Sequence, residues 1–520
     1  MRRSQPWKAR TRRAPQIALA AATALLVTAC GSTAVTAGRS SAGTGDATLQ
    51  GQAGASQQGA TGLGSGSTST GGTAAVGGTT GALTGSGTSG TAGSAGTGTP
   101  TSTGNTVPGG TQGSGSLSGA LVPATFTIGL QYSGNANAAM AAVGGGAFKD
   151  DRRPENDAVI AWINKHGGIA GRPASPIYNN IDATANPQTE SQSACAQWTQ
   201  DNHVAIAFPR SAVADNDLLR ACLKRAGVPA VVLQTSRTLG SSFASSPLWF
   251  EPTALSLGQY ARTYVRGLAG TGFFKTGKVG VVYYDNASFP AALKSDLLPE
   301  LKAAGVPSPE LYGASIDSAS TLGSGSQQMS SAVLAFRSKG VTKVLFFEPW
   351  VGYFEFLNNA KSQQYHPEYG LSSQEGPQLA MDLGLVPADQ LAGARVVSWT
   401  PASDVRHFQP FLGPRIKLCT QIYRDAGIVI ASDQTSYGFQ MTDCEYLMLI
   451  QDAYRSAPHR LVAADFVHGA EALGDSQVLA TRTRGGFGPT KHWGIDQYWT
   501  GHFDTAQSTF VIDSSAQQVR

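Results

Sequence analysis

From Gly31 to Val122 the chain is dominated by Gly, Ser, Thr and Ala, and its only charges are Arg39 and Asp46. A stretch so poor in aromatic and branched aliphatic side chains cannot bury enough apolar surface to offset the entropy of ordering it. Whatever folds must therefore fold from about Ala124 onward, and the stretch before it is expected to act as a tether. As a Gly-rich coil it has a root-mean-square span of about 50–60 Å, from ~5–6 Å times the square root of its length. Its Thr and Ser content also suits a glycosylated, mucin-like stalk.

In front of the tether stands Cys30, closing Leu26-Val27-Thr28-Ala29-Cys30. An apolar run from Ile17 to Val27 precedes it, itself preceded by Arg2, Arg3, Lys8, Arg10, Arg12 and Arg13. Basic segment, short apolar segment, small residues and a cysteine make up a bacterial lipoprotein export signal. The apolar run is too short to span a bilayer comfortably and ends in a processing site. Residues 1–29 are thus expected to be removed, and residues 30–123 to form a lipidated (palmitate-type) Cys30 plus tether. That places the chain outside the cytoplasm, held to the outer face of the cytoplasmic membrane. A plain cleaved secretory signal is the alternative; a twin-arginine address fits less well, because neither Arg pair has the usual apolar follow-up.

Removing residues 1–29 takes away six basic residues, leaving 32 Lys and Arg against 34 Asp and Glu, a net −2. A near-neutral exported chain has no electrostatic footprint for nucleic acid. Besides Cys30 there are Cys195, Cys222, Cys419 and Cys444. An even count in an exported chain favours two disulfides. Three pairings are open, of which Cys195–Cys222 and Cys419–Cys444 close the shortest loops. No Cys-x-x-Cys is present, so redox and zinc-ribbon readings lack their motif.

The folded region alternates strand and helix. Apolar runs at Thr125–Leu130, Val204–Phe208, Ala230–Leu233, Lys278–Tyr284, Lys343–Phe347 and Ala394–Trp399 read as buried strands. Val159, Trp162, Ile163 and His166 recur at helical spacing, and Gly167-Gly168 stops that helix. Further helices are expected over Thr189–Gln200, Asp215–Ala226, Leu255–Leu268, Ala291–Ala304, Met329–Lys339, Val351–Gln363 and Phe439–Ser456. Strands separated by crossover helices argue for parallel sheets covered on both faces. In such sheets ligands sit beyond the carboxyl ends of the strands.

The residues at those ends are polar and aromatic: Gln131-Tyr132-Ser133, Arg210-Ser211, Gln234 to Arg237, Tyr284-Asp285-Asn286, Glu348 to Trp350 and Ser372 to Glu375. Hydroxyls and backbone N–H groups suit an anionic end, a carboxylate suits a cationic end, and aromatics stack on the body of a small solute. Any one of these residues taken alone is more often a helix cap or turn former. There is no His-Glu-x-x-His, no Walker-type loop and no nucleophile elbow after a strand. The eight histidines are scattered, and His166 at a helix end suits the helix dipole better than a metal. Neither a catalytic centre nor a metal or other cofactor is expected.

Ile163-Asn164-Lys165-His166-Gly167-Gly168-Ile169-Ala170-Gly171-Arg172-Pro173 resembles the "N-x-x-G-G-I-x-G-R" turn of the type I periplasmic-binding-protein family, in its branched-chain amino-acid branch. Ala226-Gly227-Val228-Pro229, Lys278 to Asn286 and Gly485-Gly486-Phe487-Gly488-Pro489-Thr490 match in the same order. The resemblance runs over most of 124–520. It implies an α/β fold of two doubly wound, Rossmann-like lobes joined by a three-stranded hinge and closing on a solute. By position, lobe 1 falls at 124–251 and 402–482, and lobe 2 at 252–401 and 483–520.

Amino-acid-binding members hold the ligand carboxylate with a hydroxyl and backbone N–H groups, at positions that fall near Ser211 and Gln234 to Arg237, Ser236 included. An acid before glycine holds the ammonium, matching Glu375-Gly376; aromatic contacts fall at Phe289 and Trp350, alongside Tyr132 and Tyr284. Phe289 replaces a common tyrosine, and Arg210 and Arg237 as candidates to face the cleft favour a more acidic ligand. The implied protein is a monomeric receptor that captures an amino acid or related small organic acid or amide for an ABC importer, its permease in the membrane. The other reading is a ligand sensor that regulates a membrane signalling protein or envelope enzyme.

Overall fold

The computed structural model describes residues 124–519, apart from 143, 148–150, 212–216, 235, 287, 317–321, 349, 407–413, 433, 456–461 and 475–483. The apolar runs of the sequence fall in two separate sheets. The first comprises β1 (Phe126–Tyr132), β2 (Ala174–Asn180), β3 (Ile206–Phe208), β5 (Ala230–Val231) and β7 (Trp249–Phe250), all parallel in the order β2-β1-β3-β5-β7. Pro209 has no N–H to give the ladder. Beyond it β3 resumes as β4 (Arg210–Ser211), paired with β6 (Leu233–Gln234), the continuation of β5.

Apolar residues cover both faces of this sheet. On one side Ile128, Leu130 and Phe208 pack against Val159, Ile163, Tyr423, Met441 and Leu447 of the helices Arg153–Lys165, Pro414–Asp425 and Gln434–Arg455. On the other, Ala207 and Ala230 meet Trp198, Leu219 and Leu223. Cys195 is bonded to Cys222 and Cys419 to Cys444, with Cα separations of 6.1 Å and 5.9 Å, so each bridge ties neighbouring helices over one face.

The second sheet holds β8 (Val279–Tyr284), β9 (Glu310–Ala314), β10 (Lys343–Phe347), β11 (Glu368–Ser372) and β12 (Arg395–Ser398), parallel in the order β9-β8-β10-β11-β12. Along β10 the period-2 pleat sends Val344 and Phe346 to one core and Leu345 and Phe347 to the other. A C-terminal hairpin of β13 (Gln497–Asp504) and β14 (Thr509–Ile512) adds an antiparallel edge on β12, and β15 (Gln517–Gln518) pairs with β13. The α/β fold with two doubly wound lobes is therefore as expected from the sequence.

The chain passes between the lobes after β7, after β12 and before β13. The first and third passages pair: Glu251 N–H donates to His492 O at 2.8 Å, and Gly494 N–H to Glu251 O at 2.9 Å. Phe487 and His492 still pack on Phe250 in the first core before the chain enters the second sheet at β13.

Several elements go beyond the sequence reading. β2 and β9 lie toward or at sheet edges, are partly exposed, and carry Pro176 or charged and polar residues in place of an apolar run. The helix expected over Phe439–Ser456 begins earlier, at Gln434.

The glycine-rich turn leads from the helix Arg153–Lys165 into β2, a helix Ala136–Ala142 preceding both. Gly168 has φ +69 and its N–H donates to Ile163 O at 2.9 Å, closing the helix, while Ile169 and Arg172 exchange two backbone hydrogen bonds. A Cβ at Gly168 would collide with Arg172 O. Gly168→Ala is expected to cost about 1–3 kcal/mol, read as a lower urea midpoint of unfolding.

Candidate ligand-binding site

The carboxyl ends of both sheets meet where loop 234–238 of lobe 1 touches loop 372–376 of lobe 2. Ser236 N–H donates to Gln374 Oε1 at 2.9 Å, while Ser236 Oγ accepts from Leu255 N at 2.9 Å. A second bridge lies nearby in sequence to β1: Gly146 N–H donates to Leu383 O at 2.7 Å, and Met140 enters a core of lobe 2.

In lobe 1 the structure gives several expected residues internal partners. Arg210, expected at the cleft, places Nη1 at 2.6 and 2.7 Å from the carboxylate of Asp443, a fully buried residue of helix Gln434–Arg455. Its backbone N–H donates to Gln131 Oε1 at 2.9 Å, and Gln131 in turn donates to Asn179 Oδ1 at 3.2 Å. Tyr132 lies under the Arg153 guanidinium at 4.1 Å and edge-on to Tyr178. Ser211 and Gln234 face each other in the β4–β6 pair; their side chains lie outside the described residues. Arg237 is half-buried, and its positive charge reaches Glu348 across the lobe boundary. Cys30 lies outside the described residues.

In lobe 2, Tyr284, Phe289, Phe347, Tyr260 and Trp399 form one aromatic chain with ring centroids 5.1–5.4 Å apart. Phe289, expected as a contact, is buried within that chain. Glu375, expected to present a carboxylate to an ammonium, is turned inward instead and fully buried. Its Oε2 accepts from Ser372 N at 2.6 Å and Ser372 Oγ at 2.7 Å, and Tyr260 Oη lies 3.3 Å from Oε1. Burial pushes its carboxyl up to about 8, against the pull of those donors.

Glu348 is the acid that the motif reading passed over. Its two oxygens accept from Gly352 N at 3.0 Å and Tyr353 N at 2.8 Å, capping the helix Val351–Ser362. Burial, and then the charge of Glu375, hold this carboxyl well above its usual range. Asp404, just past the second passage between lobes, is a third buried acid. Its Oδ2 accepts from the hydroxyls of Ser373, Ser398 (2.7 Å) and Thr400 (3.2 Å), and burial raises it to about 6.

Four polar atoms around loop 372–376 are shielded from solvent yet have no hydrogen-bond partner among the described residues: Gln374 Nε2, Trp350 Nε1, Tyr353 Oη and Asp404 Oδ1. Trp350 Nε1 lies 3.7 Å from where a Cβ would stand on Gly376, and the charge of Glu375 acts on Tyr353. Of these, Trp350 and Gln374 stand among the strand-end residues read from the sequence, whereas Tyr353 and Asp404 do not. Asp404 carries no motif, and only its position after strand β12 could have marked it. Among the described residues no group of three or more His, Cys, Asp or Glu could hold a metal ion. No helix among them is long and apolar enough to cross a membrane.

The carboxyl ends of two α/β sheets thus face each other across these loops, and comparison with known proteins bears on that fold. Residues 156–409 match the family described as periplasmic binding protein. A solute-binding protein of an ABC transporter from Rhodopseudomonas palustris HaA2, solved with p-hydroxybenzoic acid, is 12% identical at a TM-score of 0.54, covering 76% of this chain and 98% of its own. A possible leucine/isoleucine/valine-binding protein from Rhodopirellula baltica SH 1 is 14% identical at 0.51, covering 77% and 98%. An ABC transporter substrate-binding protein from Desulfitobacterium hafniense, in complex with Leu, is 16% identical at 0.50, covering 75% and 100%. No curated protein matches the chain. The folded region has the type I periplasmic-binding-protein fold, and the resemblance to that family read from the sequence holds.

The inward carboxyls make stability pH-dependent. The fold favours neutral Glu375, so this contribution is fully present below about 4.5, the ordinary value, and is lost as pH rises through about 8. Glu375→Gln should flatten that loss: urea midpoints of variant and parent should lie close at pH 4.5, with the variant pulling ahead by pH 8.

Proposed function

We propose that the chain is an extracytoplasmic receptor that captures a small polar solute between its lobes and hands it to an ABC importer. The observation that carries this reading is loop 372–376, bonded to lobe 1 through Ser236 and Gln374 and ringed by shielded polar atoms that lack partners among the described residues. A buried donor or acceptor left unmade costs about 1–3 kcal/mol, which a bound solute recovers. Contacts that a solute makes with both lobes at once favour the closed form by its extra affinity for that form.

The fold neighbours carry two kinds of acid. The Desulfitobacterium hafniense protein is in complex with Leu, and Rhodopseudomonas palustris proteins are in complex with p-hydroxybenzoic and 3,4-dihydroxy benzoic acid. Both kinds share a carboxylate. We assign its capture to the lobe-1 segment Ser211 and Gln234 to Arg237, where Arg237 supplies positive charge, and the contact with the rest of the solute to Trp350 and its surroundings in lobe 2. We read the protein as binding and releasing its solute unchanged, because the family and its neighbours are substrate-binding proteins. The lobes divide near residues 251, 401 and 483, and a lipid on Cys30 keeps them within tether reach of a membrane permease.

A thermal-shift screen of the full chain against amino acids, hydroxy acids and aromatic acids tests the binding. A solute at 100 times its dissociation constant adds about 2.7 kcal/mol; a library that leaves the melting temperature unmoved removes the reading. Cys30→Ser should release the chain from the membrane fraction into the medium with its melting temperature unaltered, and retention in the membrane would refute the lipid anchor.

A further inference from the structure

We propose that the solute is a small carboxylic acid that meets lobe 2 with an oxygen acceptor and carries no primary ammonium, its oxygen received by Trp350 Nε1 and Gln374 Nε2. This rests on the solute-receptor reading above and narrows it to a chemical class.

An ammonium brings three N–H donors and accepts nothing, so it needs acceptors aimed at it. The two acids nearest the lobe-2 wall do not supply them. Glu348 spends both oxygens on Gly352 N and Tyr353 N. Glu375 is fully buried and held by Ser372 N, Ser372 Oγ and Tyr260 Oη. Swinging either carboxylate out would break these bonds and leave backbone donors buried without partners.

What the wall leaves open is mainly donors. The Gln374 amide cannot be turned to offer its oxygen, because that oxygen already accepts from Ser236 N–H across the lobe boundary. Its orientation is thus fixed by a donor of known identity, and Nε2 is the free end. The indole Nε1–H of Trp350 can only donate. Tyr353 Oη serves either way. Asp404 Oδ1 is an acceptor beside the same loop, its other oxygen already taken by three hydroxyls including Ser373 Oγ, so the two donors outnumber it. The charge from lobe 1 has the same sense: Arg237 is positive and its field reaches Glu348. Two fixed donors and a cation suit an oxyacid, whereas an α-amino acid would place its ammonium against them.

Isothermal titration of the full chain at pH 7.5 with matched solutes tests this: leucine against 2-hydroxy-4-methylpentanoate and 4-methyl-2-oxopentanoate, and phenylalanine against 3-phenyllactate and 4-hydroxybenzoate. We expect at least one oxygen-bearing acid to bind tenfold or more tighter than its amino-acid counterpart. Trp350→Phe and Gln374→Leu should each weaken that acid about tenfold, with the ligand-free melting temperature within a few degrees of the parent. If either variant fails to fold, the matched solutes on the parent chain decide the matter. An amino acid that binds tighter than its oxygen analogue, or both variants binding the acid as the parent does, would overturn the inference while leaving the receptor reading intact. If no solute of either class binds, both fall.

Discussion

Glu251 stands where the first passage between the lobes meets the third, and the two-lobed arrangement depends on what it holds. Its backbone is bonded on one side to His492 O and on the other to Gly494 N. Its fully buried carboxylate accepts from Thr238 Oγ1 at 2.5 Å and Trp249 Nε1 at 2.7 Å. Both bonds reach the same oxygen, Oε1, and burial makes each costly to lose. These donors come from the segment that follows β6 and from β7 itself, so the acid fixes the path of the chain from Thr238 into the first passage between the lobes. The close approach leaves no room at Gly494, where a Cβ would meet Pro252 O. Any opening or closing of the lobes must bend these paired segments together.

The central architecture was legible in the sequence because central parallel strands are buried on both faces and read as continuous apolar runs. Lys343–Phe347 and Val279–Tyr284 are of that kind, and so was the glycine turn after the helix Arg153–Lys165. Edge and antiparallel strands gave no such signal. β2 contains Pro176, and β13, antiparallel to β12 on one flank and to β14 on the other, mixes aromatics with Gly501 and His502. At the strand ends, the sequence marked the loops but not the direction of their side chains. Glu375 before Gly376 looked like an acid aimed at a ligand, yet whether a carboxylate faces the cleft depends on donors such as Tyr260, 115 residues away. Arg210 shows the same limit: its partner Asp443 is 233 residues distant, on the helix Gln434–Arg455.

The Arg210–Asp443 pair has a structural consequence of its own. A buried ion pair contributes little net stability against an apolar replacement, since desolvation offsets the attraction. Here it fixes position. Pro209 interrupts the ladder, and the chain is caught again by Gln131 Oε1 on Arg210 N and by Asp443 on the guanidinium. The β4–β6 pair, which carries Ser211 and Gln234, is thereby set at a defined height above the first sheet. A salt link between a strand end and a helix from the far part of the sequence also ties the loop to the element that follows the second passage.

In lobe 2 the acids play the corresponding part from within. Glu348 caps Val351–Ser362, and a cap at a helix N-terminus is favoured by the orphan N–H groups there and by the helix dipole. Fixing the first turn fixes Trp350, which opens it and packs edge-on to Phe354. Glu375, drawn inward by Ser372, forces the chain at Gly376 through φ +52, and Trp350 Nε1 comes to lie beside that glycine. A side chain at Gly376 would be strained there and would crowd the indole N–H. Glu375, kept from ionising freely by burial, and Glu348, kept so by burial and by the charge of Glu375, thus act as scaffolding for loop 372–376 and Trp350.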